Sequence, residues 1–176
     1  MRAARFAVLL GLVLVAAASR LVPHPPNLTP IAAMALFGGA YFPDKRAAYL
    51  VPLAAMFLSD LVLGLHRGWP VVYGSFMLIV CIGFWLRWRR TALRVACAAV
   101  ASSVLFFVVT NFDVWAWGSM YPKTSEGLLA CYAAAIPFFR NTLTGDVLYS
   151  AALFGGFALL ERWWPAVREP ALTARK

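Results

Sequence analysis

Asp60 and Asp146 each interrupt a run of apolar residues, AAMFLSDLVLG and NTLTGDVLYSAALFGG. An ionised carboxylate in such a run is costly unless it is paired or wetted. Arg140 stands just ahead of the second run and is the predicted partner of Asp60 or Asp146. These residue types support two arrangements: a buried ion-pair clamp that fixes helix register, or a polar pocket. Tyr73, Asn111, Asp113, Tyr121 and Asn141 fall at a similar distance from the ends of apolar runs, with Trp115 beside Asp113. Convergence of so many polar groups favours the pocket. We therefore expect a substrate-binding site lined by Asp60, Tyr73, Asn111, Asp113, Trp115, Tyr121, Arg140, Asn141 and Asp146.

Other chemistry finds little support. The chain has no nucleotide-binding P-loop, no HExxH and no GxSxG, so neither ATP hydrolysis by the usual route nor a hydrolase is expected, and no catalytic residue is assigned. His24 and His66 fall on the same side as Asp60, but without the helical i, i+4 spacing of paired ligands; no metal and no cofactor are expected. Cys81, Cys97 and Cys131 lack metal or redox spacing and are read as small packing residues.

The elements that must position these groups follow from composition. Hydrophobic residues make up 62% of the 176-residue chain and charged ones 13%. A soluble domain is nearer half apolar and a quarter charged. The expected fold is all-α: an integral membrane bundle of about six transmembrane helices, in one domain over 1–176. The spans are read as approximately 5–21, 29–42, 47–65, 71–87, 92–110 and 141–162. Residues 6–18 behind Arg2 and Arg5 also fit a signal peptide, but the apolar remainder favours an uncleaved first helix. The second span is short, since a bilayer core needs about 20 helical residues.

The net charge of +9 could suggest nucleic acid, yet the basic residues cluster between the spans. That pattern is topology. Only Arg20, Arg67, Lys123 and Arg140 fall on one side of the six-span map, leaving twelve of the 16 basic residues on the other. Both termini are accordingly expected in the cytoplasm, with no nucleic-acid partner.

Between the last two spans lies a long outer loop, 111–140, with a short helix over 128–139. Its tryptophans and tyrosines suggest a mobile cap over the pocket or, equally, an anchor at the lipid headgroups. Ala3, Ala7 and Gly11 recur every four residues on the first helix, a ladder that lets helices approach closely in lipid. The run Ala35-Leu-Phe-Gly-Gly39 recurs as Ala152-Leu-Phe-Gly-Gly156, which predicts two helices using one close-packing device.

The runs NLTPIAAMALFGGAYF, FLSDLVLG, ACYAAAIPFFRNTLTGD and LFGGFAL resemble an uncharacterised bacterial family of small membrane proteins, over about Arg20 to Leu160. In size, six-span layout and cytoplasmic termini that family is similar to the substrate-binding S-components of energy-coupling-factor (ECF) vitamin transporters. The resemblance implies an outward pocket for a small, vitamin-like micronutrient in the bacterial inner membrane. It also implies an ECF coupling subunit and ATPases as partners, docking at Ala3, Ala7 and Gly11. The competing readings are a non-catalytic structural or assembly protein that packs against partner helices, and a membrane enzyme using Asp60 or Asp146.

Overall fold

The computed structural model describes residues 3–65 and 68–168. They are all-helical, with no strand among the described residues. In chain order the helices are α1 (Ala3–Ser19), α2 (Ile31–Tyr41), α3 (Lys45–Leu63), α4 (Trp69–Leu86), α5 (Ala92–Trp117), α6 (Ser125–Ser150) and α7 (Gly156–Trp163). A π turn over Ala151–Gly155 joins α6 to α7, so that Ser125–Trp163 is one helical run of 39 residues. That run and α3, α4 and α5 are long and apolar enough to cross a membrane; α1 and α2 are shorter apolar helices.

The bundle is built around α2, and all 11 of its residues are buried. A helix that is apolar on every side must be enclosed on every side. Its small residues set how closely neighbours come. A methyl group placed at Gly39 would meet the Val80 carbonyl oxygen at 2.3 Å and the Gly83 Cα at 2.8 Å, and one at Gly38 would meet the Pro52 ring at 2.5 Å. One glycine thus faces α4 and its neighbour faces α3, each at a distance only glycine allows. Enclosure also explains why α2 is shorter than a bilayer is thick: its flanks meet protein.

The C-terminal end of α2 presents carbonyls that no intrahelical donor reaches. Arg87 donates to the carbonyls of Gly39 (2.7 Å) and Phe42 (2.5 Å), and Arg90 donates to that of Ala40 (2.9 Å). The Arg90 guanidinium also lies 4.4 Å from the centre of the Tyr41 ring. Two cations at this terminus also complement the helix dipole. Burial, and secondarily the nearby Arg90 charge, lowers the Arg87 pKa from its usual value. At the same end Arg5 is buried, donating to Glu161 and to the Val167 carbonyl at 2.5 Å each. These contacts tie α1 to α7 and the turn that follows it, closing that side of the bundle.

Several expectations are corrected here. The segment 111–140 is no long loop: α5 continues to Trp117 and α6 begins at Ser125. The expected short helix 128–139 is therefore the first part of the last long helix, in line with the predicted span 141–162. Pro137 sits inside α6 without ending it. Gly155 and Gly156 have nothing within 4 Å of an added methyl, so the second Leu-Phe-Gly-Gly is not a close-packing device. It spans the π turn, and its Phe154 meets Phe37 of the first copy at 5.4 Å. Of the cysteines, Cys131 is buried, whereas Cys81 and Cys97 face outwards.

Candidate functional site

At the end opposite Arg87, α5 and α6 form a helical hairpin closed by the turn 118–124. Lys123 donates to the carbonyls of Trp115 and Gly118, and the Trp115 indole donates to the Pro122 carbonyl (3.0 Å). Thr124 caps α6 by accepting from the Gly127 amide. On the facing side a turn brings up the chain between α1 and α2. The Leu28 amide donates to the Pro25 carbonyl (3.1 Å), with Pro26 second in the turn. Asn27, third, has φ +64°, as a type II turn requires. Asn141 of α6 donates to the Pro26 carbonyl (2.9 Å) and so fixes this turn against the hairpin.

Between hairpin and turn lies an open chamber of about 940 Å³. Its walls include Phe106, Phe107, Phe138 and Phe139, with Trp117 and Asp113 on the same hairpin and Asn27 and Val72 opposite. Several polar wall residues bond back to their own helix: Thr110 to the Phe106 carbonyl, Asn111 to Phe107 and Thr142 to Phe138. Each therefore keeps acceptor capacity. A second, narrower pocket of about 160 Å³ shares Asn27, Val72, Phe106 and Thr142 with the chamber and extends to Arg20, Thr29, Met56 and Asp146.

The inner pocket is where charge is concentrated. Arg20, at the end of α1, pairs with Asp60 (Nη2 to Oδ1, 2.8 Å) and donates to the Met56 carbonyl (3.3 Å) and the Ser59 hydroxyl. Tyr73 donates to the other Asp60 oxygen at 2.8 Å. Asp60 is 3% exposed, so a guanidinium and a phenol together supply the partners that a buried carboxylate requires. Asp146 is 2% exposed, and Ser103 donates to its Oδ2 at 2.6 Å. Among the described residues no cation lies within ion-pair distance of it.

Of the nine residues expected to line the site, Asn111, Asp113 and Asp146 do so. Asp60 and Tyr73 stand behind the wall and hold Arg20 in place. Asn141 anchors the Pro26–Asn27 turn, and Trp115 braces the hairpin turn. Tyr121 lies in that turn, outside the lining of either cavity. Arg140 is exposed and makes no ion pair among the described residues. In place of the expected Arg140 clamp, Asp60 is paired with Arg20. Arg20, Asn27, Ser103 and Thr142 were not expected. Their signals were present: Arg20 is one of four basic residues on the sparsely charged side, and Pro-Pro-Asn is turn chemistry. Of the two histidines weighed as ligands, His66 lies outside the described residues and His24 is exposed. Among the described residues no three His, Cys, Asp or Glu side chains cluster.

Fold and site together define a class: a bundle of apolar helices enclosing a cavity that opens at one end. The chain belongs to the family of unknown function DUF6580, whose model matches residues 1–167. Neither a curated protein nor a solved structure matches it.

Proposed function

We propose that the protein is a multi-pass membrane protein that binds a small, vitamin-like molecule for uptake, in the manner of an ECF S-component, without catalysis of its own. The observation that carries this reading is the chamber of about 940 Å³ running into an inner pocket that ends at a buried carboxylate. Ligand sites are concave, largely apolar and furnished with a few placed polar groups. A bundle that only packed against partners would have no need of such a space. Membrane residence is supported by the exposed apolar faces of the long helices, and by tryptophans gathered at helix ends, such as Trp69, Trp117 and Trp163.

On this reading α1 and α2 complete a six-helix embedded bundle in a bacterial inner membrane, with both termini cytoplasmic and the chamber facing out. The twelve-to-four division of basic residues supports that orientation. A periplasm-dependent reporter fused after Lys176 should be inactive; activity there would reverse the orientation. Ala3 and Ala7 are exposed, and Gly11 has nothing within 4 Å, which leaves this face of α1 available to a coupling subunit.

The test is a thermal-shift screen of vitamins and related micronutrients on the full chain in lipid nanodiscs. A ligand at about 100 times its Kd should stabilise by roughly 2.7 kcal/mol. Thr142→Trp, at the junction of chamber and inner pocket, should abolish the shift while leaving the unliganded melting temperature within a few degrees. If no compound in a broad set shifts the melting point, the binding reading fails and an assembly role takes its place.

A further inference from the structure

Asp146 is the most deeply buried charge-bearing group of the cavity, and its protein environment leaves it half satisfied. Ser103 occupies Oδ2; Oδ1 has no protein partner among the described residues, and Asp146 lines the inner pocket. Arg20 lines the same pocket but is committed to Asp60 at 2.8 Å. Asp146 is therefore left without a counter-ion among the described residues, in a region of low dielectric. A lone carboxylate in such surroundings is costly until a cation joins it.

The Thr142 hydroxyl directs its proton to the Phe138 carbonyl (3.0 Å), so it offers the pocket lone pairs. The Nε of Arg20 has no hydrogen-bond partner among the described residues but is buried. Asn27 and Thr29, also in the lining, can either donate or accept, and the Arg20 charge is matched by Asp60, so the charge of the inner pocket that has no protein counterpart is that of Asp146. At about 160 Å³ the inner pocket holds a head group, while the adjoining chamber of about 940 Å³ has room for a body. That chamber is walled by phenylalanines and by Trp117, with Asp113 as the described charged group in its lining. Aromatic faces attract cations as well as apolar surface.

We infer that the ligand is an amphipathic organic cation, seated with its N–H donors on Asp146 and its apolar or aromatic body in the chamber. A protonated amine or an amidinium meets this description; a carboxylate or phosphate does not. The inference rests on the binding reading above and narrows it to one ligand class.

The experiment uses three probes that share one ring: tryptamine, its neutral alcohol tryptophol, and the anion indole-3-acetate. Binding is measured by equilibrium dialysis against the full chain in nanodiscs of zwitterionic lipid, with empty nanodiscs subtracted. Tryptamine should bind at least about tenfold tighter than tryptophol, the equivalent of about 1.4 kcal/mol, with indole-3-acetate weaker still. Asp146→Asn should bring the amine and alcohol within about twofold of each other, and Asp113→Asn should narrow the gap less. The wild-type ratio is decisive even if Asp146→Asn does not fold. Equal or tighter binding of the alcohol or the acid overturns the cation inference while leaving the binding reading intact. Failure of all three probes to saturate also overturns it, and the micronutrient screen then decides independently whether the cavity binds anything.

Discussion

At the closed end of the bundle Arg87 and Arg90 direct their donors to backbone carbonyls, Arg5 reaches Glu161 and Val167, and a fully enclosed helix ends beneath them. At the open end Arg20 is held by Asp60, yet Asp146 in the same pocket has only a serine. Both ends bury charge, but only the open end places an under-partnered carboxylate beside empty volume. That difference separates groups whose partners are internal from a carboxylate with one oxygen unpartnered among the described residues. Buried charge alone, therefore, is a poor guide to function; buried charge facing a cavity is a better one.

The comparison breaks most completely at the α2–α4 crossing. Gly39→Leu would drive a side chain into the Val80 carbonyl and the Gly83 backbone, and should cost more than about 3 kcal/mol, at or beyond the upper range for overpacking. Size-exclusion chromatography in detergent should show aggregate where the wild type gives one peak. Gly155→Ala, in open space, is the control and should behave as wild type. A monodisperse Gly39→Leu protein would mean that the helices can separate without losing the fold.

Next comes the pair that closes the inner pocket. Arg20→Ala or Asp60→Ala leaves a buried charge alone and should each cost about 3–5 kcal/mol. The double variant should recover part of that loss in thermal melts. Strictly additive losses would show that the two side chains act independently.

Arg87→Gln sharpens the contrast between the ends. Losing charged donors to the Gly39 and Phe42 carbonyls should cost about 1.5–3 kcal/mol, with unchanged probe affinity at the far cavity by dialysis. A parallel loss of affinity would show that the two ends are mechanically coupled. The smallest effect is expected at Arg140: exposed and without an ion pair, its alanine variant should shift stability by less than about 0.5 kcal/mol. A loss of several degrees in melting temperature would restore the clamp that the sequence suggested.

Arg140 also shows where sequence reasoning stops. Hydropathy placed Asp60, Tyr73, Asn111, Asp113 and Asp146 towards one end, because span counting fixes height within a bundle. It could not fix rotation about a helix axis, and rotation decides whether Arg140 or Arg20 faces Asp60. The misreading of 111–140 has a different cause. Asn111, Asp113 and Pro137 look like breakers in an apolar helix, yet the two polar residues line the open chamber and the proline is tolerated within a long helix. The full enclosure of α2, by contrast, was signalled by its length and its glycines, both visible in the sequence as a span too short to stand alone.

The enclosure of α2 matters again while the chain is being made. Tyr41 leaves the ribosome before the 45 residues from Phe42 to Leu86 that build α3 and α4. At about 5–20 residues per second, α2 waits roughly 2–9 s without the helices that will cover it. During that interval it has only α1 for company, with its terminal carbonyls uncapped until Arg87 and Arg90 arrive. Slower translation through 42–90 should therefore lower the yield of folded protein, because it lengthens the exposure of the segment least able to survive by itself.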